Sequence, residues 1–333
     1  MHDTVSFDLK NNRLVLIDQA RLPGELRLLS LHRIEEMETA IYTLQVRGAP
    51  AIGVAAAIGL AVLARQINHN YDAKLCEYAD RLNATRPTAV NLAWALERML
   101  SGPHDPESLA RQALAIWEED IATCRRIGEH GSVLLKDGDC VLTHCNAGRL
   151  AAVRYGTALA PIYVAAEQGK RIQVYADETR PLLQGARLTA YELAEAGIPV
   201  TLQCDNMAAS LLSTGTIKAV FVGTDRIARN GDAANKIGSQ GLSILARHFK
   251  VPFYVCAPFS TVDFHCADGG QIPIEQRAPE EVAEAWYAKR MAPKGVEVYN
   301  PAFDIIPQEN ITAFITECGV LSAQDLSKVS ACV

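Results

Sequence analysis

The groups best suited to chemistry in this chain stand at the ends of short apolar runs. "CVLTHC" ends on Cys145, "RIQVYADE" reaches Asp177, "PVTLQCD" reaches Asp205 and "AVFVGTD" reaches Asp225. Cys145 alone reads more readily as a small buried residue, since the chain has nine cysteines in all. A thiol at a strand tip, followed by the flexible "NAG" turn, is different: as a thiolate it is a base or a nucleophile. Carboxyl groups at neighbouring tips supply proton transfer. In open parallel sheets, ligands bind at the carboxyl ends of the strands. The four groups therefore share one crevice if the strand order brings them together, which spacing alone does not fix. Side-chain alternation turns His144 away from Cys145, so His144 is not expected as its base.

A second set of residues suits an anion. "VRGAPAIG" sets Arg47 and the amides of Gly48 and Ala49 ahead of an Ala-rich helix, and "ATRPT" sets Arg86 ahead of another. Guanidinium groups beside helix N-termini make a cradle for a small phosphorylated metabolite. "FVGTDRIARNGDAANKIGS" reads as a long polar loop that carries Asp225, Asn235 and Lys236 and leads into a helix, whose first amides would attract a phosphate. In "DETRPLLQGARLTAYEL", Arg180 and Gln184 either face a ligand or cap the helix that follows. No GxGxxG or GxxxxGK[ST] occurs, which removes the usual dinucleotide and nucleoside-triphosphate loops. Eight histidines form no HExxH and the nine cysteines no CxxC. Neither a metal nor an organic cofactor is expected, and odd, unrhythmic cysteines read as reduced thiols.

Elements must position these groups. Val5–Leu9 and Arg13–Ile17 flank "KNN" as a hairpin. Helical spacing runs from Leu31 to Leu44, then through Ala51–Ala64, then onward from Pro87 as an early helical residue. Leu114, Trp117, Ile121 and Cys124 mark a long amphipathic helix. Beyond residue 126, short apolar runs alternate with helices such as "GARLTAYELAEAG" and "GLSILARHFK", the pattern of a parallel sheet covered on both faces. The fold class is α/β: a mostly helical N-terminal domain with a short β-hairpin over residues 1–126, then a Rossmann-like domain over 127–333.

Composition agrees with an ordinary folded chain. It is 49% apolar and 21% charged, with a net charge of −6, so no general field draws in nucleic acid or an anionic membrane. Ala51–Ala64 is too short and too rich in Ala and Gly for a membrane span and reads as a buried helix. The first residues lack a signal-peptide layout, which makes the cytosol the expected address.

Together the stretches "VRGAPAIGVAAA", "THCNAG", "DETRPLLQGARLTAYEL", "CDNMAA", "GTDRIARNGDAANKIG" and "YNPAFDIIP" resemble the signature segments of the methylthioribose-1-phosphate isomerase family, in the family's order. The wider superfamily includes ribose-1,5-bisphosphate isomerase and regulatory subunits of the translation-initiation guanine-nucleotide exchange factor. The resemblance implies an aldose–ketose isomerase of methionine salvage, usually a homodimer. It implies Cys145 and Asp225 as the catalytic pair. It also implies sugar-phosphate contacts from Arg47, Gly48, Ala49, Arg86, Gln184, Asn235 and Lys236. The implied substrate carries phosphate on its anomeric carbon, so an acid must open the ring. Asp225 serves only if protonated, which asks for a dry setting or a like charge such as Asp205. Cys145 then acts as a base on carbon 2, helped if the "NAGR" turn starts a helix. A direct hydride shift is the rival route.

Overall fold

The apolar alternation at the start of the chain folds as its pattern dictates. In the computed structural model, which describes residues 2–86 and 90–326, β1 (Val5–Asp8) pairs antiparallel with β2 (Arg13–Ile17). A third strand, β3 (Leu28–Leu31), joins β2 on its other side. The helix expected from Leu31 starts later, as α1 (Ile34–Tyr42). The reason is its cap: the Glu36 carboxylate accepts from the amides of His32 and Arg33, which fixes the first turn beyond Leu31.

Helices α2 (Ala49–Ala64), α3 (Tyr71–Ala84), α4 (Val90–Ser101) and α5 (Pro106–Ser132) follow. Pro87, expected near the start of α4, lies outside the described residues. Every residue of α2 from Ala51 to Ala64 is buried. A helix that is apolar all round must be surrounded, and its small residues let neighbours close in. A Cβ on Gly53 would lie 2.8 Å from the Asn91 carbonyl oxygen of α4. Among the described residues, no helix is long and apolar enough to cross a membrane.

The later chain builds the sheet. Its strands are β4 (Cys140–Thr143), β5 (Gln173–Asp177), β6 (Val200–Gln203), β7 (Ile217–Val222), β8 (Arg226–Ala228), β9 (Ala233–Lys236), β10 (Phe253–Cys256), β11 (Val262–Asp263), β12 (Phe303–Ile306), β13 (Ala313–Thr316) and β14 (Gly319–Leu321). Seven of them form one sheet in the order β14-β13-β10-β7-β4-β5-β6, parallel throughout except for β14. Leu142, Val220, Val255 and Phe314 are core residues of this sheet. Helices α6 (Ala160–Glu167), α7 (Ala190–Glu195), α8 (Ala208–Ser213) and α9 (Ser239–His248) lie between strands in sequence.

The polar stretch after Asp225 is not a simple loop. It folds as the hairpin β8–β9 within a second sheet of order β11-β8-β9-β12. Buried Ile227, Ala228, Ala233 and Ala234 supply the apolar face that the polar residues mask in sequence. Asn230–Gly231, with Gly231 at φ +96°, is the hairpin signal that could have found it.

The chain divides into two compact units, Met1–Arg125 with Ala147–Gly156, and Arg126–Asn146 with Thr157–Val333. The first is built around α2. The second holds both of the larger sheets.

Candidate active site

Strand order decides which tips meet. The chain runs β4, β5, β6 in one direction across the sheet and then returns to place β7 on the other side of β4. That reversal is a switch point, and the crevice it opens lies at the carboxyl ends of β4 and β7. Thr143 of β4 is paired with Phe221 of β7, so Cys145 and Asp225 follow the same edge of neighbouring parallel strands. Asp177 ends β5, the strand beside β4 on its other side, and Asp205 follows β6, the next strand out.

Cys145 is half-buried and its backbone is left-handed, with φ +66°. For a non-glycine residue that conformation persists only when its surroundings enforce it. Two threonines do so: the Cys145 amide donates to Thr179 Oγ1 at 2.8 Å, and its carbonyl accepts from Thr189 Oγ1 at 2.6 Å. The next residue, Asn146, is also locked, donating to Thr189 Oγ1 at 3.0 Å and to Glu192 Oε1 at 2.5 Å. The buried Glu192 in turn accepts from the Tyr163 hydroxyl at 2.6 Å. The "NAGR" turn yields only a three-residue turn, Arg149–Ala151, too short to act as a helix N-terminus. No disulfide joins any of the described cysteines.

Asp225 is exposed rather than dry, and its amide donates to the Ala234 carbonyl at 2.9 Å. Asp205, expected as its like-charged neighbour, instead works on a turn. Its two oxygens accept from the amides of Thr179 and Arg180, each at 2.7 Å. That turn also places Thr179 against Cys145. Arg180 does not stand open to a ligand: it donates to the Val282 carbonyl at 2.8 Å and covers the Tyr287 ring.

His144 is the residue that spacing undervalued. It is 1% exposed. Its Nδ1 lies 3.0 Å from Asp177 Oδ2 and its Nε2 lies 2.8 Å from the Ile237 carbonyl oxygen. His144, Asp177 and Asp205 offer ligand atoms within 4.8 Å of one another, a spacing a metal could use. Each atom already has a protein partner, since Gln203 donates to the second oxygen of Asp177 and Asp205 is taken by amides. The trio is a hydrogen-bonded network.

Gln184 and Lys236 come together around a cavity of about 10 Å³, which Arg277 and Asn300 also line. Gln184 is buried, and its Oε1 has no hydrogen-bond partner. A buried acceptor left without a donor costs about 1–3 kcal/mol, and the cavity beside it has room for about one small donor, a water or a hydroxyl. Lys236 donates to the Ala302 carbonyl at 3.0 Å and lies over the Phe303 ring. Asn235 is buried and donates to Ser239 Oγ at 2.8 Å. Arg277 carries no site signal in sequence, because its place on the cavity depends on backbone pairing with Asn300, 23 residues further on.

The start of α9, expected to attract a phosphate, is already filled. Asp304 accepts from the Gly238 amide at 2.7 Å and from the Gln240 amide at 3.0 Å. The chain supplies its own anion there. In the first unit, Arg47, Gly48 and Ala49 lead into α2 as expected, with Gly48 at φ +90°. A Cβ on Gly48 would lie 2.5 Å from the Ala151 backbone, so only glycine fits. Arg86 is half-buried just beyond α3.

Known proteins resemble this chain over most of its length. A family model described as the initiation factor 2 subunit family matches residues 45–323. A methylthioribose-1-phosphate isomerase of Parabacteroides distasonis is 56% identical over 94% of this chain and 98% of its own. A 5-deoxyribose 1-phosphate isomerase of Moorella thermoacetica is 51% identical over 97% and 96%. Among solved structures, the 5-methylthioribose 1-phosphate isomerase of Pyrococcus horikoshii superposes with a TM-score of 0.92 at 40% identity, covering 98% of this chain and 95% of that one. The chain belongs to the initiation factor 2 subunit family and, within it, to the methylthioribose-1-phosphate isomerases.

Proposed function

We propose that this chain converts 5-methylthioribose 1-phosphate to 5-methylthioribulose 1-phosphate, with Cys145 and Asp225 as its catalytic pair. The observation that carries the reading is the placement of a thiol and a carboxyl at the carboxyl edge of neighbouring strands, on either side of the switch point. Relatives at 51–56% identity carry out this reaction or its 5-deoxy counterpart by name.

The chemistry needs few parts. Asp225 gives a proton to the ring oxygen, and the ring opens with the phosphate still on carbon 1. Asp225 is exposed, and the substrate phosphate is a like charge that favours the protonated carboxyl once it is bound. Cys145, as thiolate, takes the hydrogen of carbon 2 as a proton. Cys145 then delivers a proton to carbon 1, and the carbon-2 hydroxyl gives its proton to the Asp225 carboxylate as carbon 2 becomes the ketone. Threonine contacts on both sides of Cys145 hold the thiol-bearing backbone still, which is how positioning lowers the barrier. The resemblance also gives Arg47, Gly48, Ala49, Arg86, Asn235 and Lys236 to the sugar phosphate. The Gln184 acceptor suits a sugar hydroxyl. The same resemblance supports a homodimer working in the cytosol.

The test is turnover of the purified chain with 5-methylthioribose 1-phosphate, 5-deoxyribose 1-phosphate and ribose 1,5-bisphosphate, followed by proton and phosphorus NMR. Preferential conversion of the methylthio sugar is expected. Preference for the bisphosphate would move the chain to the neighbouring activity. No ketose from any of the three, in folded protein, would favour a regulatory subunit. Repeating the reaction in heavy water tests the route: solvent deuterium in the product excludes a pure hydride shift, and complete retention of the substrate hydrogen counts against a base that exchanges with solvent.

A further inference from the structure

We propose that His144 is a cationic positioning residue of this site, a doubly protonated ring that ties the strand tip bearing Cys145 to the segment bearing Lys236. The inference rests on the isomerase reading for its kinetic part only. Its structural part stands on hydrogen-bond geometry.

Both partners of the ring are acceptors. A carboxylate at Asp177 has no proton to offer Nδ1 from Oδ2, and the Ile237 carbonyl has none to offer Nε2; Gln203 donates to the other oxygen, Oδ1. A neutral imidazole keeps one lone pair. Either tautomer would aim that lone pair at another oxygen lone pair across 2.8–3.0 Å in a buried setting. An imidazolium satisfies both contacts at once, and charge-assisted bonds of this kind are the strong ones.

The surroundings suit a cation. Asp177 faces the ring from β5, Asp205 from the turn after β6, and Asp304 from β12. Lys236 is the nearby base, and its ammonium is turned to the Ala302 carbonyl and the Phe303 ring. Burial works against the charged ring, but the hydrogen bond and charge of Asp177, with Asp205 and the Ile237 carbonyl, hold its pKa above the ordinary histidine value. The α9 start is shaped around the ring as well: a Cβ on Gly238 would lie 2.8 Å from His144 Cε1.

The clasp closes on the site. Thr179 Oγ1 donates to the Asp177 carbonyl at 3.0 Å while accepting from the Cys145 amide at 2.8 Å. Asp205 fixes the Thr179 amide. The turn that Asp205 fixes, with Thr189 on the other side, therefore sets the left-handed backbone of Cys145, the residue next to the ring. On its far side the ring grips Ile237, next to Lys236 on the cavity that Gln184 lines.

The experiment is long-range proton–nitrogen NMR on the full chain labelled with ¹⁵N-histidine, from about pH 6 to about pH 9. His144→Gln and Asp177→Asn assign the signal. Protons on both ring nitrogens at neutral pH are expected, and a ring lacking either proton there overturns the proposal. Asp177→Asn keeps the acceptor's shape and removes its charge. It should lower the ring's titration and lower kcat about tenfold to a hundredfold, with KM within about twofold. The loss should deepen as the ring deprotonates. If His144→Gln does not fold, Asp177→Asn decides alone: unchanged kcat overturns the positioning role. The alkylation rate of Cys145, read by peptide mass spectrometry, requires no substrate and should change at least about threefold in Asp177→Asn; an unchanged rate in a chain without turnover also overturns that role. A chain that makes no ketose yet shows the doubly protonated ring and the altered alkylation fails the isomerase reading and leaves this inference standing. A singly protonated ring in an active isomerase fails this inference alone.

Discussion

The two units solve opposite packing problems. Around α2, the first unit buries Ala, Gly, Val, Ile and Leu on every side, and the helix needs nothing from its side chains but volume. At the strand tips of the second unit, the buried groups are His144, Asn146, Asp177, Thr179, Gln184, Thr189 and Glu192. Each of these polar groups must find a partner or pay a desolvation cost. All but the Gln184 oxygen have protein partners there. An apolar core tolerates many arrangements of the right volume. A satisfied polar network tolerates one. The unit that holds the proposed catalytic pair is the one that accepts the costlier interior.

Substitutions on each side sharpen this contrast. Leu60→Ala, in the α2 core and fully buried, should cost about 2–5 kcal/mol in urea unfolding. Its turnover per folded molecule should stay within about twofold of wild type. A large fall in kcat would mean that the core does more than fill space.

A pH series compares two buried titratable groups. Part of Asp120 reaches the surface, yet burial of its carboxyl pushes it up to about 7, and the Val153 amide it accepts offsets only part of that. Its folded pKa exceeds its unfolded one, so stability falls as pH rises from about 4 to about 7. His144 is also raised, and its contribution, complete below about pH 6.5, is lost as pH climbs through its folded value. Wild-type stability should therefore decline in two stages. Asp120→Asn should flatten the first, worth at most a few kcal/mol, and leave the second. Unfolding midpoints across that range would show whether the stages separate.

At the tips, Thr179→Val removes the acceptor for the Cys145 amide and the donor to the Asp177 carbonyl. A cost of about 1–3 kcal/mol in stability is expected, with kcat down about tenfold or more because the thiol loses its fixed backbone. Equal loss of stability with full kcat would show that Cys145 does not need that restraint. Gln184→Leu gives the smallest change in stability and the opposite sign. Removing an acceptor that lacks a partner should leave stability unchanged or raise it by about 1 kcal/mol. KM should rise about tenfold, as for a lost hydrogen bond to substrate. A KM equal to wild type would take Gln184 out of the substrate site.

Much of this architecture was legible beforehand, for identifiable reasons. The hairpin, the buried α2 and the alternation of strands with helices follow from periodicity, which is local. The polar stretch after Asp225 misled because its few buried apolar residues are outnumbered, although Asn230–Gly231 marked the turn. The site was legible as a set of strand tips and not as a crevice, since adjacency of β4 and β7 depends on strand order. Strand alternation turns His144 away from Cys145, but it says which way a side chain points and nothing about what awaits it there. Asp304 at the start of α9 was invisible for a similar reason: 64 residues separate it from the Gln240 amide it caps.

The most direct test of the central claim is turnover of 5-methylthioribose 1-phosphate by Cys145→Ser and Asp225→Asn, measured beside their urea unfolding curves. The account predicts that each loses activity at least about a hundredfold while unfolding within about 1 kcal/mol of wild type. Near-normal turnover by either folded variant would contradict it and return the thiol or the carboxyl at the switch point to a purely structural role.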